Sequence, residues 1–388
     1  MKRIICAILI LFAGFSVFAD DELELYSFLY YNVDTATGRL GILKAVVEAD
    51  LPGAGEFYAE ALKNLIAFQS NIRAPADRDA TDESARILTY LLGNAKYTAS
   101  AGDVWKTVEV FSNPLVKAEA LISLGRMQAT EFLPQVNKVL NDLNQAPTTD
   151  FETGEKIAYG AILCLEKMGD PAGYLPVFFA SIGWYSERIK GLARQSLPLI
   201  LEDPTEPLTQ VIRSSSYGYD PKYQALRTME ASNTSNEAKA SVALAAYSEG
   251  WRASTSNTRD RMLLNTIRKQ AMDMIQRYGI GDSAVYPLLE RSYKEGTDWE
   301  ERLGAVSTLS ALATQESAQL LSSFLMILNS KLQSGTLTQD DERMVRAVIP
   351  ALGATGRSEG RNALRTVLSL DWTNAVKNLA NEALKNIS

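Results

Sequence analysis

Histidine is absent from all 388 residues, which removes the Ser-His-Asp triad, the Cys-His dyad, histidine-ligated zinc or haem, and the commonest general base near neutral pH. Chemistry would have to run on carboxylates, Lys, Tyr or a Ser-Lys pair. Acidic clusters stand at Asp20-Asp21-Glu22, Glu300-Glu301 and Asp340-Asp341-Glu342. The first follows a leader-like segment. The other two precede stretches that read as helices from near Arg302 and Met344, where acids favour the positive end of the helix dipole. Helix-start charge is therefore expected there, rather than the paired-carboxylate work of a glycosidase. Gly279 to Ala284 has the spacing G-x-G-x-x-A, but it follows a helical stretch where a dinucleotide fingerprint needs a strand, so it reads as a turn. Asn32, Asp34 and Gly38 leave most acidic positions of a calcium loop empty. Neither G-x-S-x-G nor a Walker loop occurs. No cofactor, metal or catalytic set is expected.

Aromatic residues are the better lead. Trp184, Tyr185, Tyr217, Tyr219, Tyr223 and Trp251 lie in or beside polar stretches between helical segments. Side chains of this kind supply much of the energy at protein interfaces, so they are candidate partner contacts; the competing expectation is that they fold back as lids over helix ends. The polar stretches, at 142–155, 213–223, 247–261 and 329–343, are expected to be long inserts at the edges of the fold.

Those residues must be held by helices. Ile157, Ala161, Cys164 and Met168 step by four, three and four, which puts them on one helix face. Val345, Val348 and Leu352 do the same, as do Val376, Leu379, Ala383 and Ile387. Runs alternating with period two are essentially absent, so the class is all-α.

The helices come in pairs with recurring punctuation. In the clearest unit a helix closes at Gly169, Asp170 caps the next segment, Pro171 opens it and Pro176 follows. Partial copies give Gly125 then Pro134, Asp203-Pro204 then Pro207, and Gly279, Asp282 then Pro287. Their second-helix prolines lie 176 − 134 = 42, 207 − 176 = 31 and 287 − 207 = 80 positions apart. The last gap holds a further copy whose first helix ends near Ser232. Two more units follow at 302–328 and 343–368, and a single helix ends the chain.

This pattern resembles short HEAT repeats, from about residue 84 to the end, with Gly169-Asp170-Pro171 and Pro176 matching in full. The arginines expected inside such repeats fall irregularly, at Arg188, Arg302 and Arg346. The resemblance implies an α-solenoid of antiparallel helix pairs, a HEAT/ARM-like superhelix. Residues 20–80 would be amino-terminal capping helices, including 40–47 and 57–68, and 81–388 the repeat array closed by one capping helix.

Lys2 and Arg3, the apolar run 4–18 and Val17-Phe18-Ala19 make the three parts of a secretory signal peptide, residues 1–19, with cleavage expected after Ala19. Cys6 is too early for a lipoprotein signal. No later segment reaches the roughly 20 apolar residues a spanning helix needs. Cleavage would leave Cys164 without a disulfide partner and a net charge of 37 − 46 = −9, a sign that repels nucleic acid. The expectation is thus a non-enzymatic scaffold or adaptor, periplasmic or secreted, that binds other proteins of the cell envelope or outside the cell. The alternatives are a carboxylate-based cell-wall hydrolase and a glycan- or ligand-binding module using the aromatic residues.

Overall fold

The computed structural model describes residues 22–51, 53–72, 74–146 and 150–387, and every element among them is helix or turn, with no strand. The leader and its cleavage point lie outside the described residues. The chain divides into two compact units, the first ending at Leu201 and the second beginning at Glu202.

In the first unit, α1 covers residues 22–32. It is followed by α2 (Ala36–Ala49), α3 (Gly55–Phe68), α4 (Pro75–Asn94), α5 (Ala101–Val110) and α6 (Pro114–Met127). Then come α7 (Leu133–Gln145), α8 (Phe151–Met168), α9 (Tyr174–Ile182) and α10 (Glu187–Ile200). The even-numbered helices from α2 to α10 pack side by side in chain order. Each odd-numbered helix from α3 to α9 packs mainly on the even-numbered helix that follows it, not on the one before. The pairs marked out by Gly, Asp and Pro are therefore interlocked: the second helix of one closes on the first helix of the next. Each unit is a stretch of α-solenoid.

Local sequence explains the breaks. Pro114 sits in the first turn of α6, where no amide partner is lost, and Asn113 accepts from the Leu115 amide. α8 ends at Gly169 with φ +62°, and the Asp170 carboxylate accepts from the Ala172 amide to open a 3-10 turn ahead of α9. Gly125 departs from the expected punctuation. It lies inside α6, which runs on to Met127 and closes through Gln128 at φ 58°. A Cβ on Gly125 would sit 2.8 Å from the Cα of Cys164, and one on Gly160 would sit 2.7 Å from the Cα of Ala118. Each helix of this pair thus gives up a side chain where the other's backbone crosses it. Cys164, fully buried in the seam, has its thiol pushed up to about 12 by burial.

The second unit repeats the scheme. It contains α11 (Thr205–Arg213), α12 (Tyr219–Ala231), α13 (Asn236–Arg252), α14 (Thr258–Tyr278) and α15 (Val285–Glu295). It continues with α16 (Trp299–Leu312), α17 (Gln315–Gln333), α18 (Gln339–Ala354), α19 (Arg361–Ser369) and α20 (Asn374–Asn386). Here α12, α14, α16, α18 and α20 form the ordered row, and α13, α15, α17 and α19 each lean on the following helix or on the next of their own kind. The expected long inserts shrink to loops of a few residues, as at 214–218, 253–257 and 334–338. Their polar residues are absorbed as exposed faces and first turns of the flanking helices. Before α18, Thr338 and Asp341 cap each other's amides, and the Lys331 ammonium lies 2.8 Å from the Asp341 carboxylate.

Side chains tie successive repeats together at a recurring separation. Gln69 donates to the Val110 carbonyl, Trp184 to Leu143, Tyr247 to Leu288 and Ser310 to Ala351, each across 41 positions. Asn144 and Asn329 occupy equivalent places. Each donates its amide to a carbonyl on the next second helix, Pro176 or Ala363, and each accepts from the aromatic residue after that helix, Tyr185 or Trp372.

Two tests follow. Gly160→Ala overpacks the seam and should cost about 1–3 kcal/mol in urea unfolding; it should also hasten iodoacetamide labelling of Cys164, which in the parent protein should await unfolding. Burial raises the Asp341 carboxyl, but the hydrogen bonds from Lys331 and Thr338 outweigh it and hold the group below the usual aspartate value. Its stabilisation is therefore complete above the unfolded value of about 3.9 and lost as pH falls through the folded value. Asp341→Asn should lower stability at neutral pH by about 1 kcal/mol, as for a lost cap, and flatten the acid limb of the stability profile.

Candidate functional site

The carboxyl-terminal turn of α13 carries Tyr247, Glu249, Gly250, Trp251 and Arg252, and its neighbours form the most elaborate polar cluster among the described residues. Glu301, in the first turn of α16, is 0% exposed. It accepts from Arg268 of α14 through Nε at 2.6 Å and Nη2 at 3.0 Å, from Asn265 Nδ2 at 2.8 Å and from the Thr297 amide at 2.8 Å. Ser292 Oγ of α15 lies 3.3 Å away on the same carboxylate, and Tyr247 Oη donates to Ser292 at 2.6 Å. A buried carboxylate survives only when paired and fully hydrogen-bonded, and this one is. The remaining Arg268 donor, Nη1, reaches the Gly250 carbonyl at 3.0 Å. A Cβ at Gly250 would sit 2.6 Å from Cγ of Arg268, so glycine is what lets the arginine stem cross α13.

Two guanidinium groups lie over the Trp251 ring. Arg268 lies 4.2 Å from its ring centre and Arg291 4.3 Å, while the indole N–H lies 3.3 Å from Ser292 Oγ. Both contacts are within cation–π range. Arg291 also bonds Glu295 at 2.8 Å, an exposed pair one helical turn apart. Beside this cluster a second buried ion pair joins Lys222 of α12 to Glu249 at 2.6 Å, and exposed Arg252 shares the same carboxylate.

These elements wall a groove of about 710 Å³, open between the end of α13, the loop 253–257, the first turns of α14 and the start of α16. Arg261, Arg268, Lys269 and Arg291 line it against a single acid, Asp298. Lys269 is held protonated by hydrogen bonds to Glu300 and then Asp298. Arg261 is exposed and touches only Thr258 Oγ1, at 3.2 Å. Next to it Met262 is 67% exposed. Burial pushes the Tyr247 hydroxyl up, so it stays a neutral donor.

A second groove of about 640 Å³ lies in the first unit, across α4, α6, α8 and the start of α10. It gathers Glu83, Glu119, Glu152 and Glu155, but Arg86, Arg126 and Lys156 pair with the first three, and Glu155 accepts from the Ser186 amide. The hydrogen bond from Arg86 holds the Glu83 carboxyl below its usual range, the direction opposite to that of a general acid. No group of three or more acidic or Cys side chains among the described residues could hold a metal ion.

Of the aromatic candidates, only Trp251 lines the larger groove. Trp184 and Tyr185 stack on each other with ring centres 4.2 Å apart, and their polar tips are used between repeats, on the Leu143 carbonyl and on Asn144. Tyr185 is buried. Tyr217 and Tyr223 are half-buried, and Tyr219, also half-buried, lies 5.9 Å from the Lys222 ammonium. Glu301 was expected only as helix-start charge, which its place in the first turn of α16 bears out, and Arg268 escaped the sequence reading as its partner, although a signal was there. Arg268 interrupts the apolar stripe Leu264, Ile267, Ala271, Met272, Ile275 of α14, and a charge within such a stripe must find a buried partner.

No family model matches the chain, and no curated protein matches it. Among solved structures it is similar to human deoxyhypusine hydroxylase in complex with glycerol, at 14% identity over 78% of this chain and 99% of that one, with a TM-score of 0.27. It is also similar to a chain from a structure of the phosphorylation switch controlling the cadherin and β-catenin interaction, at 14% identity over 94% of each chain and a TM-score of 0.35. The helical-repeat architecture stands on the packing of this chain's own helices.

The buried pair is open to a double-mutant cycle. Glu301→Leu or Arg268→Met alone strands a buried group and should cost about 3–5 kcal/mol in urea unfolding, whereas the two combined should cost clearly less than the sum of the single losses. Additive losses would show that the two side chains do not act as a pair.

Proposed function

We propose that the protein is an exported, non-enzymatic scaffold that binds another protein of the cell envelope, or one outside the cell, through the surface of its helical repeats. The observation that carries this reading is the groove beside Trp251. It is open, rimmed by cations and an exposed methionine, and built on the hydrogen-bonded Glu301–Arg268 pair at its base. Such a surface is made for contact with another chain. Export is supported by the basic, apolar and small-residue parts of residues 1–19, and no helix among the described residues is long and apolar enough to cross a membrane.

The hydrolase reading has less support. In the groove that gathers carboxylates, Glu83, Glu119 and Glu152 are ion-paired, and the Arg86 hydrogen bond holds the Glu83 carboxyl below its usual range, opposite to what a catalytic acid needs.

The test is in-cell crosslinking followed by affinity capture of the tagged full chain. One defined envelope or secreted protein should be recovered in stoichiometric yield, and the captured chain should begin at Asp20. Recovery of monomer alone under all growth conditions, or of a chain still beginning at Met1, would count against the scaffold and the export readings respectively.

A further inference from the structure

We infer that the groove beside Trp251 receives an extended acidic segment of the partner protein, its carboxylates meeting Arg291 and Arg261 and an apolar side chain meeting Met262. This rests on the scaffold reading and names the chemistry of the occupant.

Charge complementarity is the first argument. The lining carries four cations and one acid, 4 − 1 = +3, in a chain whose overall charge is −7. Not all of that charge is free. Arg268 is committed to Glu301, and Lys269 is shared by Asp298 and Glu300. Arg261 has no carboxylate partner in the structure's ion pairs, and the only one held by Arg291 is the exposed Glu295. An exposed pair of that kind contributes little, so a ligand carboxylate can replace or share it at little cost.

Preorganisation is the second. The Arg291 guanidinium lies 4.3 Å from the Trp251 ring centre, and the same ring lies 4.2 Å from Arg268, which is anchored by Glu301. A guanidinium resting on a ring has less freedom to lose when it binds a carboxylate in bidentate fashion. Trp251 is thus a positioning residue, acting on the ligand through Arg291. The amino-terminal turn of α14, with Thr258 in the wall, adds its partial positive charge to the same rim.

Shape and polarity decide the class. The groove is too large for one carboxylate and is open, which suits a chain segment. Met262, 67% exposed between Arg261 and the groove floor, offers an adaptable apolar contact that a phosphate backbone would not use. Nucleic acid needs many phosphate contacts to overcome repulsion by an acidic protein, and two available arginines do not supply them.

The experiment uses the full chain and a fluorescein-labelled synthetic peptide of Gly-Glu-Leu-Asp repeats, read by anisotropy at low salt. The amide counterpart, Gly-Gln-Leu-Asn repeats, and oligothymidylate serve as comparison probes. The acidic peptide should bind, and its affinity should fall about tenfold in the double variant Arg261→Ser, Arg291→Gln, the loss expected for two charge-assisted contacts. Both arginines are exposed, so the thermal melt should shift only slightly, by the loss of the Arg291 contacts with Trp251 and Glu295. Lys138→Ser, on α7 of the first unit, should bind as the parent does. Equal binding of the amide peptide, undiminished binding by the double variant, or stronger binding of oligothymidylate would each overturn the assignment. If capture in cells succeeds and the double variant captures the same partner equally well, the scaffold reading stands and this groove is not its site.

Discussion

A repeat stacked on its neighbour must bury the ends of its helices as well as their sides, and the carbonyls there have no partner within their own helix. In this chain some are met from 41 residues away: Trp184 and Ser310 donate across that distance to last-turn carbonyls, Leu143 of α7 and Ala351 of α18. Tyr247 spans the same distance to the Leu288 carbonyl inside α15. Apolar contact alone would let two hairpins slide by a turn at small cost, because one leucine packs much like another. A directed hydrogen bond to a single carbonyl fixes the offset. Asn144 and Asn329 do so twice over, each joining a helix carbonyl and an aromatic tip from the next repeat.

The cluster beside Trp251 is the same device raised in charge. Tyr247 and Trp251 reach from the end of α13 to α15, as other residues reach from one second helix to the next. Here the recipient Ser292 is itself backed by Glu301, and Glu301 by Arg268. Burying a carboxylate and a guanidinium gives little net stability over an apolar pair of the same size, so stability does not account for them. Their effect is positional: Glu301 is saturated by five donors, which anchor Arg268 against the Trp251 ring that Arg291 also meets.

Much of the fold was legible in the sequence because helices advertise themselves locally. The step of three and four in α8, and Gly169-Asp170-Pro171 after it, depend only on residues a turn or two apart, and they fold as expected. Gly125 was misread because glycine serves two purposes that look alike in sequence. It closes a helix at Gly169 and opens a crossing at Gly125, and only the neighbour's backbone, at Cys164, distinguishes them. The polar inserts were overestimated for a related reason: polar residues on the exposed side of a helix end have the composition of a loop. Trp184 and Tyr185 were singled out for exposure, whereas their polar tips serve carbonyl and amide partners 41 positions back. Glu301 was expected as helix-start charge and does stand in the first turn of α16, but its pairing with Arg268 was not legible, because each reads as surface charge until the two helices that carry them are brought together.

That last pairing bears on how the proposed groove would hold a partner. A flexible cation on a surface must be ordered by its ligand, and much of the attraction is lost to that ordering. Arg291 rests on the Trp251 ring, which also lies against Arg268 of the buried ion pair and within hydrogen-bond reach of Ser292. On the proposed reading the buried carboxylate would act at the groove through these contacts, and a change at Glu301 would be felt at the rim as lost orientation even where the charge of the rim was unaltered.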